Sequence, residues 1–292
     1  MMAAPSTASS ASRAALEFIT VNGVRIAYAD TGGAGDPLVL VHGSWGSHHN
    51  WDAVVPGLAQ HFRVVAYDRR GHSDSERPPG QGSFIEDVHD LAGLIERLDL
   101  APAWVAGSSA GALITLQFAV ARPELLRGII VHEPPLWSLL GEGSPEAAAY
   151  AAVESGPLAA VLGRIESGDH AGAAESFVDE VALGPGSWTQ LPDAMRQMMA
   201  GNAPTFLDEE RDPGSHTVDE TALARFSDPV LHTTGDKSPP IFSPVSRRLN
   251  ALLPRAVRVT YTGAGHIPHV THPEQYVAQV VAFTDSVGKA RR

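Results

Sequence analysis

The 292-residue sequence predicts an α/β protein built on a mostly parallel, doubly wound sheet of eight strands, with a block of helices inserted after the sixth. Three observations lead there. Short continuous apolar runs recur along the chain, as strands buried on both faces of a parallel sheet require. Stretches with helical spacing stand between them. The alternation stops for about ninety residues after Pro134 and then resumes, which is too long for a crossover and suits a cap.

Leu16 to Val21 and Val24 to Ala29, joined by Asn22-Gly23, predict a hairpin with a two-residue turn. Pro37 to Val41 is the next strand and ends in His42-Gly43-Ser44-Trp45-Gly46. Trp51 to His61 has helical spacing, and Phe62 to Tyr67 is a buried strand that runs into the polar loop Asp68 to Ser75. Ser83 to Leu98 predicts an amphipathic helix: Ser83 caps it, Glu86 follows three residues on, and Val88, Leu91, Leu94, Ile95 and Leu98 share a face. The apolar run from Trp104 enters Gly107-Ser108-Ser109-Ala110-Gly111, a helical pattern follows to Ala121, and Leu126 to His132 is the sixth strand.

Helical segments follow at Ser144 to Glu154, Leu158 to Glu166, Ala171 to Val181 and Pro192 to Ala200, with Gly and Pro breaks between them. Pro229 to Thr233 and Val257 to Tyr261 complete the sheet, with helices over Ser243 to Leu253 and Pro273 to Val287. The expected organisation is a flexible N-terminal tail (1–15), a core (16–133 and 228–292) and a helical cap (134–227).

Composition narrows the function. A 43% hydrophobic content and a mean hydropathy of −0.05 suit a globular core, and no apolar run is long enough to span a membrane. The net charge of −12, without a Lys/Arg cluster, argues against nucleic-acid or membrane partners. With no cysteine, thiol catalysis and thiolate metal sites are excluded. The first fifteen residues lack the apolar segment of a secretory signal, so a cytoplasmic location is expected. Nothing in the sequence assigns an oligomeric state.

Gly107 to Gly111 reads Gly-x-Ser-x-Gly between a strand and a helix, the pattern of a nucleophile elbow that sets Ser109 at the tip of a central strand. A five-residue pattern is common, so its meaning depends on partners elsewhere. A serine hydroxyl needs a base within reach, and the base needs an acid to orient it.

The order of motifs resembles the α/β-hydrolase fold over residues 16–287: His42-Gly43 after the third strand, Gly-x-Ser-x-Gly after the fifth, the helical insertion, and Gly265-His266 after the last strand. The resemblance implies that His266 is the base. Many members carry the acid on the strand after the cap, where Gly235-Asp236-Lys237-Ser238 places Ser238 at the expected position and Asp236 two residues short of it. Glu133, at the end of the sixth strand, is the other candidate. Haloalkane dehalogenases and the lactonases that open the macrocyclic ester of zearalenone carry their acid there, and Val131-His132-Glu133-Pro134 is similar to the latter. Glu133 is therefore the preferred acid and Asp236 the alternative.

The same resemblance implies an oxyanion hole from the backbone of Ala110 with Gly43 or Ser44, and a structural role for His42. Asp68 to Gly71 resembles an Asp-x-x-Gly turn of architectural importance. Trp45 and the cap residues Leu136, Trp137, Trp188, Met199 and Phe206 are the expected apolar substrate contacts. The spacing of His42, His48 and His49 matches no ligand pattern, so neither metal nor cofactor is expected. The implied activity is cofactor-independent hydrolysis of an ester or lactone of a largely apolar small molecule through an acyl-enzyme. Alternatives on the same residues are a C–C bond hydrolase, a cofactor-free haloperoxidase or perhydrolase, whose Tyr-Asp-Arg-Arg-Gly stretch is like Tyr67 to Gly71, and a hydrolase-like small-molecule receptor with little turnover.

Overall fold

The computed structural model describes residues 14–290, so the expected tail lies, up to residue 13, outside the described residues. Eight strands form one sheet: β1 (Leu16–Val21), β2 (Val24–Asp30), β3 (Asp36–Val41), β4 (Phe62–Tyr67), β5 (Ala103–Ser108), β6 (Leu126–His132), β7 (Val230–Gly235) and β8 (Val257–Tyr261). Their order is β1-β2-β4-β3-β5-β6-β7-β8, with β1/β2 and β2/β4 antiparallel and all other pairs parallel. Val21 pairs with Val24, and Asn22 and Gly23 both take positive φ (49° and 80°), the backbone of the expected two-residue turn.

Alternation along the central strands splits the core in two. Val39 and Val41 point to the side covered by α2 (Phe84–Arg97) and α3 (Ala110–Ala121), whereas Leu38 and Leu40 point to the side covered by α1 (Val55–Leu58) and α11 (Pro273–Ala290). Helix α2 starts as predicted, with the Glu86 carboxylate accepting the Ser83 backbone N–H at 3.0 Å. The single helix expected over Trp51 to His61 is instead a 3₁₀ turn at His48–Trp51 followed by the short α1. Pro56 starts a helix readily but cannot continue one, so the segment breaks before it.

Between β6 and β7 the described residues form helices only: α4 (Pro145–Val153), α5 (Ala159–Glu166), α6 (His170–Ser176), α7 (Asp193–Arg211) and α8 (Glu220–Arg225). The helix expected over Ala171 to Val181 loosens after Ser176 into a π-helical turn, Phe177–Ala182. Helix α7 runs eleven residues past its expected end at Ala200 and passes through Pro204. The missing N–H of Pro204 costs one helical bond, and the buried face formed by Asn202, Ala203, Thr205, Phe206 and Glu209 compensates for it. After β7 come α9 (Phe242–Leu252) and, beyond β8, α10 (Pro268–Thr271) ahead of α11. From β3 the chain turns to β4 on one side and then crosses to β5 on the other. The loops after β3 and β5 thus diverge at a topological switch point, the crevice where such sheets bind ligands.

Candidate active site

Ser109 caps α3 with φ 55° and ψ −125°, a conformation that a non-glycine residue adopts only when its surroundings impose it. Those surroundings are tight. A Cβ on Gly107 would stand 2.1 Å from the Gly111 carbonyl oxygen, and one on Gly111 would stand 2.1 Å from the Val41 carbonyl oxygen. Glycine at both positions is what lets α3 lie against β3 and β5. The Ser109 N–H donates to the His132 carbonyl at 2.9 Å, which ties the turn to β6.

The β3 loop arrives beside this turn. A Cβ on Gly43 would stand 3.0 Å from Ser109 Cβ and 3.7 Å from Ala110 N. As the first residue of α3, Ala110 has a backbone N–H without an intrahelical acceptor. His42 secures the loop: its Nδ1–H donates to Gly43 O at 2.8 Å and its Nε2 accepts the Arg69 N–H at 3.0 Å. Burial, followed by the charge of Arg69, pushes its pKa down to about 3, so the ring is neutral as this geometry requires.

His266 follows β8, and its ring stacks on Phe242 of α9 at 4.3 Å with the planes 15° apart. Its Nδ1 lies 2.7 Å from Glu133 Oε2, while Glu133 Oε1 accepts the Gly235 N–H at 2.9 Å. Glu133 is 1% exposed and sits at φ 44°, so strand β6 delivers its carboxylate through a strained residue. Burial works to raise its pKa. The imidazoles of His132 and His266 outweigh burial and hold the carboxyl below the usual glutamate range. His132 Nε2 lies 3.5 Å from Glu133 Oε2, and its Nδ1 is 3.0 Å from Thr233 Oγ1. Asp236 is placed differently: it is exposed, and its Oδ1 accepts the Gly263 N–H at 2.9 Å, which links the loops that follow β7 and β8.

Two clusters among the described residues bring three potential metal ligands within 4.8 Å of one another: His132, Glu133 and His266, and His48, Asp68 and Asp74. In the first, the carboxylate is engaged by His266 and Gly235. In the second, Asp68 accepts the His48 backbone N–H at 2.7 Å and the Asp74 N–H at 3.1 Å, which shapes the Asp68 to Gly71 turn.

A cavity of about 340 Å³ opens over Ser109 and His266 between the strand ends and the inserted helices. Gly43, Ser44, Trp45, Trp137, Met199 and Phe206 line it. Leu136 and Trp188 do not. Leu136 is fully buried in the core, because the chain turns at Pro134-Pro135 and leaves Trp137 facing the cavity instead. Trp188 is half-buried and packs against the hydrophobic cluster of the inserted helices, with Arg196 above its ring at 5.9 Å. Sequence reasoning missed Phe242, whose stacking on His266 has no local signal. It also missed Tyr150, Glu210 and His216 in the cavity wall, which lie on separate segments.

Helix α7 joins the cavity to the β3 loop. Residues 198, 202, 205 and 209 share one face of it. Ser47 Oγ donates to Met198 Sδ at 2.8 Å. Asn202 Nδ2 donates to Gly46 O at 2.8 Å and Trp45 O at 3.3 Å, while its Oδ1 accepts the Ser73 N–H at 2.8 Å. Thr205 Oγ1 meets His72 Nε2 at 2.9 Å, and Glu209 Oε1 accepts from Arg69, whose other side makes a bidentate pair with Asp87. Trp45, held in this way, has φ 64°.

Comparison with known proteins accords with this architecture. An uncharacterized hydrolase of Bacillus subtilis is 37% identical over 124 residues, 42% of this chain and 45% of its own length. A 2-hydroxy-6-oxo-2,4-heptadienoate hydrolase of Pseudomonas putida is 38% identical over 106 residues, 34% of this chain and 37% of its own length. The chain thus spans less than half the length of either relative. Among solved structures, an alpha/beta hydrolase from Sphaerobacter thermophilus superposes with a TM-score of 0.75 at 26% identity, covering 92% of this chain and all of that one. The sequence profile of the alpha/beta hydrolase family matches residues 38–280, most of the chain, and the protein belongs to that family.

Proposed function

We propose that the protein is a serine hydrolase that cleaves a carboxylic ester or lactone of a largely apolar small molecule, with Ser109 as nucleophile, His266 as base and Glu133 as acid. The 2.7 Å contact between Glu133 and His266, set under the cavity that both His266 and Ser109 line, carries this reading. In the reaction, Ser109 Oγ attacks the substrate carbonyl carbon as His266 Nε2 takes its proton. The Glu133 carboxylate fixes Nδ1–H and stabilises the imidazolium. The N–H groups of Ala110 and of Gly43 or Ser44 receive the developing oxyanion. His266 returns the proton to the leaving alcohol, which departs as the acyl-enzyme forms, and then activates the water that releases the acid and regenerates Ser109. The 134–227 segment acts as the cap over 16–133 and 228–292, and its apolar wall sets the substrate class.

A fluorophosphonate probe tests the first step and short aryl esters the second. Labelling confined to Ser109, with ester turnover lost in Ser109→Ala, is the expected result. Folded protein that neither labels nor turns over aryl esters overturns the reading. The match to the Pseudomonas hydrolase favours a second reading, cleavage of a C–C bond in a 2-hydroxy-6-oxo-dienoate by the same residues. Turnover of such a dienoate well above that of any ester would select it.

A further inference from the structure

Apart from the groups around Ser109 and His266, the cavity wall is mostly apolar, and its polar side chains are few. Three of them cluster. Trp137 stacks on Tyr150 with ring centroids 4.9 Å apart, and the His216 ring lies 6.1 Å from Trp137 and 6.5 Å from Tyr150. His216 Nε2 is 3.3 Å from Glu210 Oε1, and His216 Nδ1 is 2.9 Å from the Pro135 carbonyl oxygen. Trp137, Tyr150, Glu210 and His216 all line the cavity.

The chemistry of this cluster is specific. Both neighbours of the His216 ring are oxygen acceptors, the Pro135 carbonyl and the Glu210 carboxyl, an arrangement that favours the doubly protonated ring. Burial opposes that state, and the Glu210 carboxylate outweighs it and raises the His216 pKa. The Glu210–His216 pair is then neutral as a whole, and His216 has no donor left. Glu210 keeps free lone pairs. Burial, reinforced by Glu210, raises the Tyr150 pKa and keeps its phenol protonated, and that hydroxyl has no hydrogen-bond partner among the described residues. The wall thus offers one strong acceptor and one hydroxyl that can donate or accept.

We propose that Tyr150, Glu210 and His216 form a polar subsite that takes a neutral hydroxyl group on the part of the substrate remote from the scissile carbonyl, the hydroxyl donating to Glu210 and accepting from Tyr150. The proposal rests on the hydrolase reading above and adds the substrate class to it. A substrate carboxylate would face Glu210 across an apolar space. A substrate ammonium would add an uncompensated charge beside a pair that is already neutral. A hydroxyl satisfies both partners without adding charge.

The test is a set of p-nitrophenyl esters of graded chain length, each made with a methyl-terminated, an ω-hydroxyl, an ω-amino and an ω-carboxyl acyl chain. In the wild-type protein the ω-hydroxyl ester of one length should exceed its methyl-terminated counterpart in kcat/KM by about tenfold, as a hydrogen bond to a charged group implies. The amino and carboxyl esters should show no gain. The hydroxyl-to-methyl ratio should fall in Tyr150→Phe and in Glu210→Gln, each of which removes or weakens one of the two hydrogen bonds, and should fall to about one when both changes are combined. A wild-type ratio near one at every length, or a tenfold ratio that persists in both variants, overturns the subsite. If no ester turns over and Ser109 does not label, the hydrolase reading fails by itself. The subsite is then read by tryptophan fluorescence with methyl esters of the same chains, where equal affinity for hydroxylated and plain chains overturns it and about tenfold tighter binding of the hydroxylated chain supports it.

Discussion

His266 Nδ1 meets Glu133 Oε2 at 2.7 Å, whereas Asp236, the other candidate acid, engages the backbone N–H of Gly263 through its Oδ1. The two carboxylates therefore predict different kinetics. Glu133→Gln should lower kcat for an aryl ester by about 10⁴-fold, because the imidazole loses its orientation and the stabilisation of its charged form. Asp236→Asn should stay within about threefold of wild type. Steady-state kinetics on the two variants checks the ranking, and the reverse order would sink the role given to Glu133.

The same carboxylate makes stability depend on pH in a defined direction. The pKa of Glu133 is lowered in the folded protein, so its contribution is fully present above the usual glutamate range and is lost as pH falls toward the folded value. Wild type should therefore exceed Glu133→Gln in urea midpoint near neutral pH, and the gap should narrow steadily below about pH 4.5. A gap that widens on acidification would contradict the assignment. Titrating groups that do not interact with Glu133 are common to both proteins and cancel in the difference.

Glycine substitutions should divide sharply by location. A Cβ on Gly111 meets only backbone, 2.1 Å from Val41 O and 2.6 Å from His42 O, and has nowhere to go. Gly111→Ala should cost at least about 3 kcal/mol and lower Tm by about 6 °C. A Cβ on Gly163, exposed inside α5, would meet nothing within 4 Å. Gly163→Ala should raise stability by about 0.5–1 kcal/mol through helix propensity. Calorimetry on the pair measures both signs.

Asn202 predicts coupling between the inserted helices and the chemistry. Asn202→Ala removes the donor that holds Trp45 O and Gly46 O and the acceptor for the Ser73 N–H. Stability should fall by about 2 kcal/mol, and kcat should fall by about tenfold with a smaller change in KM, because the loop carrying Gly43 and Ser44 loses its anchor. Asn202→Asp keeps the acceptor and loses the donor, and it should recover only part of the loss. Kinetics and urea unfolding of the two variants separate a positioning role from a purely structural one, which would leave kcat of the folded fraction unchanged.

The sheet is legible in the sequence because each central strand is buried on both faces, so its apolar run is continuous and bounded by Gly or polar residues. The hairpin is legible because Asn22-Gly23 states its own backbone angles. Helix α7 is not, because Pro204 reads as a stop locally and only the buried face beyond it carries the helix on. A helix ended at Ala200 hides the phase relation of Met198, Asn202, Thr205 and Glu209. Ser109 and His266 stand out through glycine-flanked motifs at strand ends. The pairing of Glu133 over Asp236 depends on a positive φ at Glu133, which no composition signals. Leu136 and Trp188 stand out by hydrophobicity, a property shared by core and cavity alike, and the rotation of a turn decides between them.

The α7 helix presents Asn202 and Glu209 to the loops after β3 and β4 and, a step around its circumference, Met199 and Phe206 to the cavity. Substrate preference and reaction rate are thereby written on adjacent faces of one rod. A change that reshapes the α7 wall for a different ligand will shift the rod and disturb the β3 loop. Trp137 carries a tie of its own, to Phe242, whose ring stacks on His266, whereas the Tyr150 side chain makes no hydrogen bond among the described residues and can vary more freely. Adaptation of the protein to new compounds should therefore accumulate first around Tyr150, with changes on α7 arriving in compensating pairs.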